Sequence, residues 1–160
     1  MRPIITSSQL LSYDNEQELD PVRAQLLARA KQAAANAYAP YSKFKVGSAV
    51  LLANGEVVIG SNQENAAYPL TMCGERVAIF AASALYPQEK IVKVAITIIS
   101  DKGNINRPVT PCGACRQTLL ENENRTQADI ELILQGDNGE VYVIKTVKDI
   151  LPFIFDASFL

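Results

Sequence analysis

Segments with the apolar period of a helix alternate along this chain with runs rich in β-branched residues, and this alternation restricts the fold to the α/β class. Helical patterns begin at Asp20, at Cys73 and at Cys112, and a short fourth pattern follows Thr146. The order α-β-β-α-β-α-β-β-α predicts a three-layer α/β/α sandwich with a five-stranded mixed sheet. The predicted strands are Phe44–Ala53, Glu56–Ser61, Ile91–Ser100, Ile130–Gln135 and Glu140–Lys145.

Turn residues indicate how these strands pair. Asn54-Gly55 separates the first two strands and predicts a hairpin with positive φ at both turn positions. A second turn, residues 136–139, separates the last two strands. Ile91–Ser100 is apolar over almost its whole length, so we expect it in the middle of the sheet and buried on both faces.

The length of the chain favours one domain. It has 160 residues, with 48% hydrophobic and 20% charged residues, which is typical of a globular protein. Residues 1–18 show no clear periodicity, and we interpret them as an N-terminal extension. Residues 19–160 are then expected to form a single domain.

Charge and histidine content exclude several classes of function. The chain has 15 basic and 17 acidic residues, a net charge of −2, and therefore lacks the basic surface that binds nucleic acid. Its longest uncharged run, Val77–Gln88, is too short to span a membrane, and no signal peptide is recognisable, so we expect a cytoplasmic protein. Histidine is absent, which excludes Ser-His-Asp triads, Cys-His nucleophile pairs and zinc fingers that use histidine.

The three cysteines, Cys73, Cys112 and Cys115, each stand at the start of a predicted helix that follows a strand. The helix N-termini lower thiol pKa values and favour thiolate ligands. Three thiolates can bind one zinc ion and leave its fourth tetrahedral position open. An odd number of cysteines without an export signal argues against a disulfide framework.

Glu75 lies two residues after the first of these cysteines, so its carboxylate can reach a water molecule in the open position. Zinc lowers the pKa of such a water, and a neighbouring carboxylate can act as a proton shuttle for it. A zinc ion with three thiolates is net negative and needs positive partners. Arg76 and Arg116, each directly beside a candidate site residue, are available for this charge compensation.

This pattern resembles the signature of the cytidine deaminases, in which a His or Cys is followed two residues later by Glu and, further on, by Pro-Cys-x-x-Cys. Here the signature reads Cys73-Gly74-Glu75 and, in the second part, Pro111-Cys112-Gly113-Ala114-Cys115. The resemblance covers about residues 20–155. It includes the further segments Ala37–Phe44, Asn62–Tyr68, Cys115–Gln117 and Leu151–Phe155.

The resemblance implies zinc-dependent hydrolytic deamination of cytidine and deoxycytidine to uridine and deoxyuridine with release of ammonia, a reaction of pyrimidine salvage. It implies that the three cysteines bind one zinc ion per chain. It also implies that Glu75 moves a proton from the attacking water to the ring nitrogen and then to the departing ammonia.

The resemblance also implies a substrate pocket. Asn62 and Glu64 match the pair that holds the ribose hydroxyls, and Phe44 matches an aromatic residue that lines the nucleoside pocket. Backbone groups of Ala66 and Thr110 are expected to contact the pyrimidine. A free nucleoside is therefore the expected substrate.

Phe155 matches an aromatic residue that enters the site of a neighbouring subunit in tetrameric members, so the resemblance implies a homotetramer with shared active sites. Two features depart from the family pattern. Gly74 stands where Ala is usual, and residues 1–18 have no counterpart in the shorter members.

Other interpretations stay open from the residues alone. The Cys-x-x-Cys pair is compatible with a thioredoxin-type redox site, although Cys73 and Glu75 would then be unexplained. A structural zinc module that binds another protein would use the same ligands but would release no ammonia. A deaminase of another aminopyrimidine nucleoside, such as the blasticidin S type, shares the zinc signature, but the ribose-binding pair favours an ordinary ribose.

Overall fold

The structure is a computed structural model that describes residues 1–101 and 103–160. None of the helices in these two ranges combines the length and the apolar character that a membrane crossing requires. The α-helices are α1 (Pro21–Ala35), α2 (Gly74–Leu85) and α3 (Gly113–Thr126). The strands are β1 (Leu11–Tyr13), β2 (Phe44–Leu52), β3 (Val57–Ser61), β4 (Ile91–Ser100), β5 (Glu131–Gln135) and β6 (Val141–Ile144).

The strands form one mixed sheet in the order β1-β6-β5-β4-β2-β3. Strands β4 and β5 are parallel, and the other neighbouring pairs are antiparallel. Because β3 and β4 both run antiparallel to β2, the carboxyl ends of β3, β4 and β5 lie at the same end of the sheet. The interior position predicted for Ile91–Ser100 is confirmed.

Helices cover both faces of the sheet, which confirms the three-layer sandwich. Successive residues of a strand point to opposite faces. On one face, Ala95 and Ile133 pack with Leu27 of α1. On the other face, Ile96 belongs to a second core with Leu119 of α3 and with residues of α2.

The sheet has six strands rather than the predicted five. The additional strand, β1, pairs antiparallel with β6, where Leu11 lies opposite Val143. Three residues are too few to show an alternating pattern, and this strand is defined by its partner. It lies within the predicted N-terminal extension, in which Glu16 also forms an ion pair with Lys31 of α1. The division at residue 18 stays a prediction.

The β2–β3 hairpin is confirmed, but the turn type expected from Asn54-Gly55 is wrong. Gly55 has a φ of 88°, whereas Asn54 is not among the residues with positive φ. The Gly55 N–H donates a hydrogen bond of 3.0 Å to the Leu52 carbonyl. The loop therefore has three residues and ends in a left-handed glycine, an arrangement that also suits the twist of the strands.

Two helical predictions end differently in the structure. The apolar pattern of α1 continues to Ala37, but the helix ends at Ala35. The chain turns there because the backbone of Tyr38 pairs with another segment. The Tyr38 N–H donates a hydrogen bond to the Asn62 carbonyl, and the Tyr38 carbonyl accepts one from the Glu64 N–H. The predicted fourth helix is a single 3₁₀ turn. Short 3₁₀ turns lie at Glu16–Glu18, Tyr68–Leu70, Val147–Ile150 and Ala157–Phe159.

A charged cluster joins the start of β5 to α1 and β4. The Glu131 carboxylate accepts hydrogen bonds from Arg23 at 2.7 and 3.0 Å and from Lys93 at 2.7 Å. Burial alone would raise the pKa of Glu131, but these bonds outweigh it and hold the pKa below its usual value of 4.5. Ionised Glu131 therefore stabilises the fold above its unfolded-state pKa, and this contribution is lost as the pH falls through the folded-state pKa.

We expect Glu131→Gln to lower the free energy of unfolding near pH 7 by about 1 to 3 kcal/mol, because two cations lose a charged acceptor. The difference from the wild type should shrink at acidic pH, below the folded-state pKa of Glu131, where the wild-type carboxylate is protonated as well. Denaturant unfolding at both pH values measures this. The exposed Glu121 of α3 offers a control, since Glu121→Gln should change the free energy of unfolding little. If Glu131→Gln were still less stable than the wild type at acidic pH, the stabilising role of ionised Glu131 would be contradicted.

Candidate active site

The two helices that carry the cysteines begin at the same end of the sheet. Helix α2 follows the loop after β3, and α3 follows the loop after β4. Cys73 and Cys112 are the N-cap residues of these helices, and Cys115 lies in the first turn of α3. The topology therefore brings together three cysteines that are as many as 42 positions apart in the sequence (115 − 73).

The three cysteine sulfurs form a compact cluster. All three lie within 4.8 Å of one another, with 3.9 Å between Sγ of Cys73 and Cys112 and 3.5 Å between Sγ of Cys112 and Cys115. Tetrahedral ligands at a zinc–sulfur distance of about 2.3 Å are separated by about 3.8 Å. The spacing and the chemistry of this donor set therefore fit zinc.

The cluster already favours thiolate at one position. A hydrogen bond from the Cys115 thiol, followed by one from Arg76, lowers the pKa of Cys73 to about 5 against the opposing effect of burial. The proton shared with Cys73 raises the pKa of Cys115. Nη2 of Arg76 lies 3.7 Å from Sγ of Cys73, and its charge also attracts the other two sulfurs.

Glu75 lies in the first turn of α2 and is only 5% exposed. Burial is the main cause that raises the pKa of Glu75, and the charge of Cys73 adds to it. A carboxyl group in this environment readily holds a proton. Glu75 is thus a buried carboxyl group beside the sulfur cluster.

Helix α2 packs closely against β2 at this point. A Cβ at Gly74 would lie 2.9 Å from the carbonyl oxygen of Val46, so glycine suits this close approach. The same carbonyl accepts a hydrogen bond from the Asn62 N–H. The Asn62 side chain accepts from the Val46 N–H at 2.8 Å and donates to the Phe44 carbonyl at 3.0 Å. Asn62 is therefore buried and fixed to β2, directly behind the first turn of α2.

Glu64 and Phe44 lie on the rim of the same region and are partly exposed. The Glu64 carboxylate accepts hydrogen bonds from the N–H groups of Tyr41 (2.9 Å) and Ser42 (3.3 Å). A hydrogen bond from the Ser42 side chain, together with these N–H groups, lowers the pKa of Glu64. Glu64 is thus an ionised acceptor whose position is set by the chain between α1 and β2.

Arg116 forms its hydrogen bonds with oxygen atoms. Its guanidinium donates to the carbonyls of Pro111 and Ile150, both at 2.8 Å, and to the hydroxyl of Thr110 at 3.1 Å. It therefore joins the loop before α3 to the C-terminal part of the chain. Thr110 is exposed, as is Ala66, the other residue expected to contact the pyrimidine.

Phe155 is 59% exposed, and its ring stacks on that of Phe159 with 5.7 Å between centroids. Its carbonyl accepts a hydrogen bond of 2.8 Å from the Gln117 side chain. Sequence reasoning assigned no role to Gln117, although it directly follows Arg116. Both neighbours in the first part of α3 therefore hold the C-terminal segment.

The sequence matches a known family over most of its length. Residues 22–127 match the family model described as the cytidine and deoxycytidylate deaminase zinc-binding region. A cytidine deaminase from Halalkalibacterium halodurans is 43% identical over 136 residues, which are 85% of this chain and 96% of the relative. One from Sporosarcina psychrophila is 39% identical over 133 residues, 83% of this chain and 90% of the relative.

Solved structures agree with this match. The crystal structure of cytidine deaminase from Burkholderia pseudomallei superposes with a TM-score of 0.71 and 38% identity, covering 82% of this chain and 97% of the other. That from Mycobacterium tuberculosis gives a TM-score of 0.66 and 32% identity over 86% of this chain and 99% of the other. The resemblance inferred from the cysteine signature is thereby confirmed. The chain belongs to the cytidine and deoxycytidylate deaminase family, and it is a hydrolase of that family.

Proposed function

We propose that this protein catalyses the zinc-dependent hydrolytic deamination of cytidine and deoxycytidine to uridine and deoxyuridine, with release of ammonia. The observation that carries the proposal is the buried carboxyl of Glu75 beside three convergent cysteine sulfurs. The reaction would serve pyrimidine salvage. The cysteines are free thiols, and such ligands suit a reducing compartment such as the cytoplasm.

Cys73, Cys112 and Cys115 would hold one zinc ion per chain. When bound, the ion would supply the positive charge that makes a water molecule acidic enough to attack C4 of the cytosine ring. Arg76, in contact with Cys73, would offset the negative charge of three thiolates. Arg116 would add positive charge next to Cys115 while it fixes the loop before α3.

Glu75 would move the protons of the reaction. Its carboxylate would take one proton from the attacking water and pass it to the ring nitrogen next to C4. It would then take the second proton from the oxygen newly bonded to C4 and give it to the amino group, which leaves as ammonia while the C4 carbonyl forms. A general acid/base works best when its pKa lies near the working pH. Burial raises the pKa of Glu75 in that direction.

The nucleoside would lie across the region between β2 and the two helix starts. The ionised carboxylate of Glu64 and the amide of Asn62 would bind the ribose hydroxyls, and the ring of Phe44 would line the pocket. Backbone groups of Ala66 and Thr110 would contact the pyrimidine. The two hydrogen bonds that fix Asn62 to β2 support this assignment, because a fixed polar group binds without a large loss of side-chain entropy.

The enzyme would assemble as a homotetramer in which Phe155 of one chain closes the site of another. The C-terminal segment supports this: Phe153 is 83% exposed, and Phe155 and Phe159 also expose most of their surface. Gln117 fixes the backbone of this segment but leaves the aromatic rings uncovered. A cluster of exposed aromatic rings on a fixed segment is typical of a surface that another protein chain covers.

We expect purified zinc-loaded protein to release one ammonia per cytidine or deoxycytidine, with the loss of ultraviolet absorbance that accompanies deamination. Free cytosine should react at least about 100-fold more slowly, because the ribose contacts are missing. Glu75→Gln should retain zinc and lose about 10⁴-fold in kcat, since an amide cannot carry the proton.

Glu121→Gln, which changes an exposed glutamate of α3, serves as the matched control and should retain full activity. Two results would contradict the proposal. One is activity of Glu75→Gln within about tenfold of the wild type. The other is no ammonia from either nucleoside with zinc-loaded wild type, which would favour a structural zinc module.

Mixed oligomers test the shared site. Glu75→Gln and Phe155→Ala should each have little activity alone. After mild dissociation and joint reassembly, some sites would combine an intact Glu75 from one chain with an intact Phe155 from another. Activity should then exceed the sum of the two parents.

The expected oligomer mass is checked by light scattering, and the mixing itself by mass spectrometry of the reassembled species. If Phe155 acted on its own chain, no mixed site would contain both intact residues. Verified mixed oligomers without recovered activity would therefore reject the shared site, even if the protein were a tetramer.

A further inference from the structure

The turn between β5 and β6, residues 136–139, lies at the same end of the sheet as the sulfur cluster, because β5 runs parallel to β4. It contacts the loop that connects β4 to α3. This loop carries Thr110 and Pro111 and ends at Cys112, the N-cap of α3. Thr110 and Cys112 belong to the proposed site, whereas the turn lies outside it.

Asp137 binds both the end of β4 and the loop that follows it. One carboxylate oxygen accepts a hydrogen bond of 2.9 Å from the Ser100 N–H at the end of β4. The other accepts one of 2.9 Å from the Ile105 N–H, while the Asp137 N–H donates to the Ile105 carbonyl at 2.7 Å. The pair of bonds to Ile105 sets the direction of the loop as well as its distance from the turn.

Further contacts around Asp137 show that the turn and the loop pack closely. A Cβ at Gly136 would lie only 2.0 Å from the Ile105 carbonyl, so a glycine is required there. The Asn138 side chain donates to that of Asn104 at 2.9 Å, and the Glu140 N–H donates to the Asn106 carbonyl at 3.3 Å. The loop is thus held along residues 104–106.

The other end of the loop is held by α3. Arg116 binds the Thr110 hydroxyl and the Pro111 carbonyl. Only residues 107–109 lie between the two anchored parts, and Pro108 restricts that span. A movement of residues 104–106 away from the turn would therefore be transmitted to Thr110. Helix α3 and its cysteines would stay in place, because Leu119 and Leu120 of this helix are buried in the core.

We propose that Asp137 is a positioning residue for the pyrimidine-binding loop, which it holds so that Thr110 faces the substrate. This inference rests on the proposed function, because it assigns Thr110 to the substrate pocket. Asp137 acts through the loop and does not touch the reacting atoms. Loss of its carboxylate should weaken nucleoside binding while the zinc ligands and Glu75 stay in position.

Asp137→Ala is expected to raise KM for cytidine about tenfold and to change kcat by less than about threefold, because loop position affects substrate binding more than proton transfer. It should retain one zinc per chain. Hydrogen–deuterium exchange should become faster at the amides of residues 105, 137 and 140, which donate the hydrogen bonds between the loop and the turn. Asp137→Asn keeps one acceptor oxygen and should give an intermediate KM.

Asn54→Ala is the matched control. The Asn54 side chain accepts a hydrogen bond of 3.0 Å from the Glu56 N–H in the β2–β3 turn. That turn does not belong to the proposed site. This variant should lose stability without a change in KM. A purely structural role of Asp137 would give the same pattern: a lower Tm with KM within about twofold of the wild type.

The inference is overturned if Asp137→Ala leaves either KM or the exchange of the amides of residues 105, 137 and 140 unchanged at a temperature where the variant is folded. Failure of the proposed function is a different result, in which the zinc-loaded wild type deaminates neither nucleoside. The exchange measurement then decides by itself whether Asp137 positions the loop.

Discussion

The convergence of two helix N-termini on one point is the constraint on which the rest of this structure depends. Helices α2 and α3 begin beside each other only because β3 and β4 both run antiparallel to β2. The partial positive charge of the helix starts favours thiolates, and the contact between Gly74 and β2 lets α2 approach closely enough to bring Glu75 to them. The fold thus brings together a candidate metal site and a buried carboxyl group from residues in two separate parts of the sequence.

Much of this arrangement was predictable, because periodicity and spacing are local signals. The three cysteines and Glu75 form a pattern that few other functions explain, and the order of elements indicated the sandwich. Strand β1 was missed because a three-residue strand has no pattern of its own and exists through its pairing with β6. The type of turn predicted at Asn54-Gly55 was wrong, because the length of the loop depends on the register of the two strands.

The contacts of Arg116, Gln117 and Asp137 could not be read from the sequence, because they depend on which loops the topology places together. Charge compensation by Arg116 stays a prediction, whereas the structure shows that Arg116 joins Thr110 to Ile150 in the C-terminal part of the chain. Gln117 holds the backbone of Phe155. The helix that supplies two sulfurs therefore also holds the loop that carries Thr110 and the aromatic C-terminal segment.

The most direct test of the account is the relation between bound zinc and deaminase activity in the same samples. Protein stripped with a chelator is titrated with zinc, and metal content is measured by elemental analysis alongside ammonia release from cytidine. The account predicts that activity rises in proportion to bound zinc and saturates at one ion per chain, with Cys112→Ser failing to retain the metal. Full activity in protein that holds no metal would contradict it.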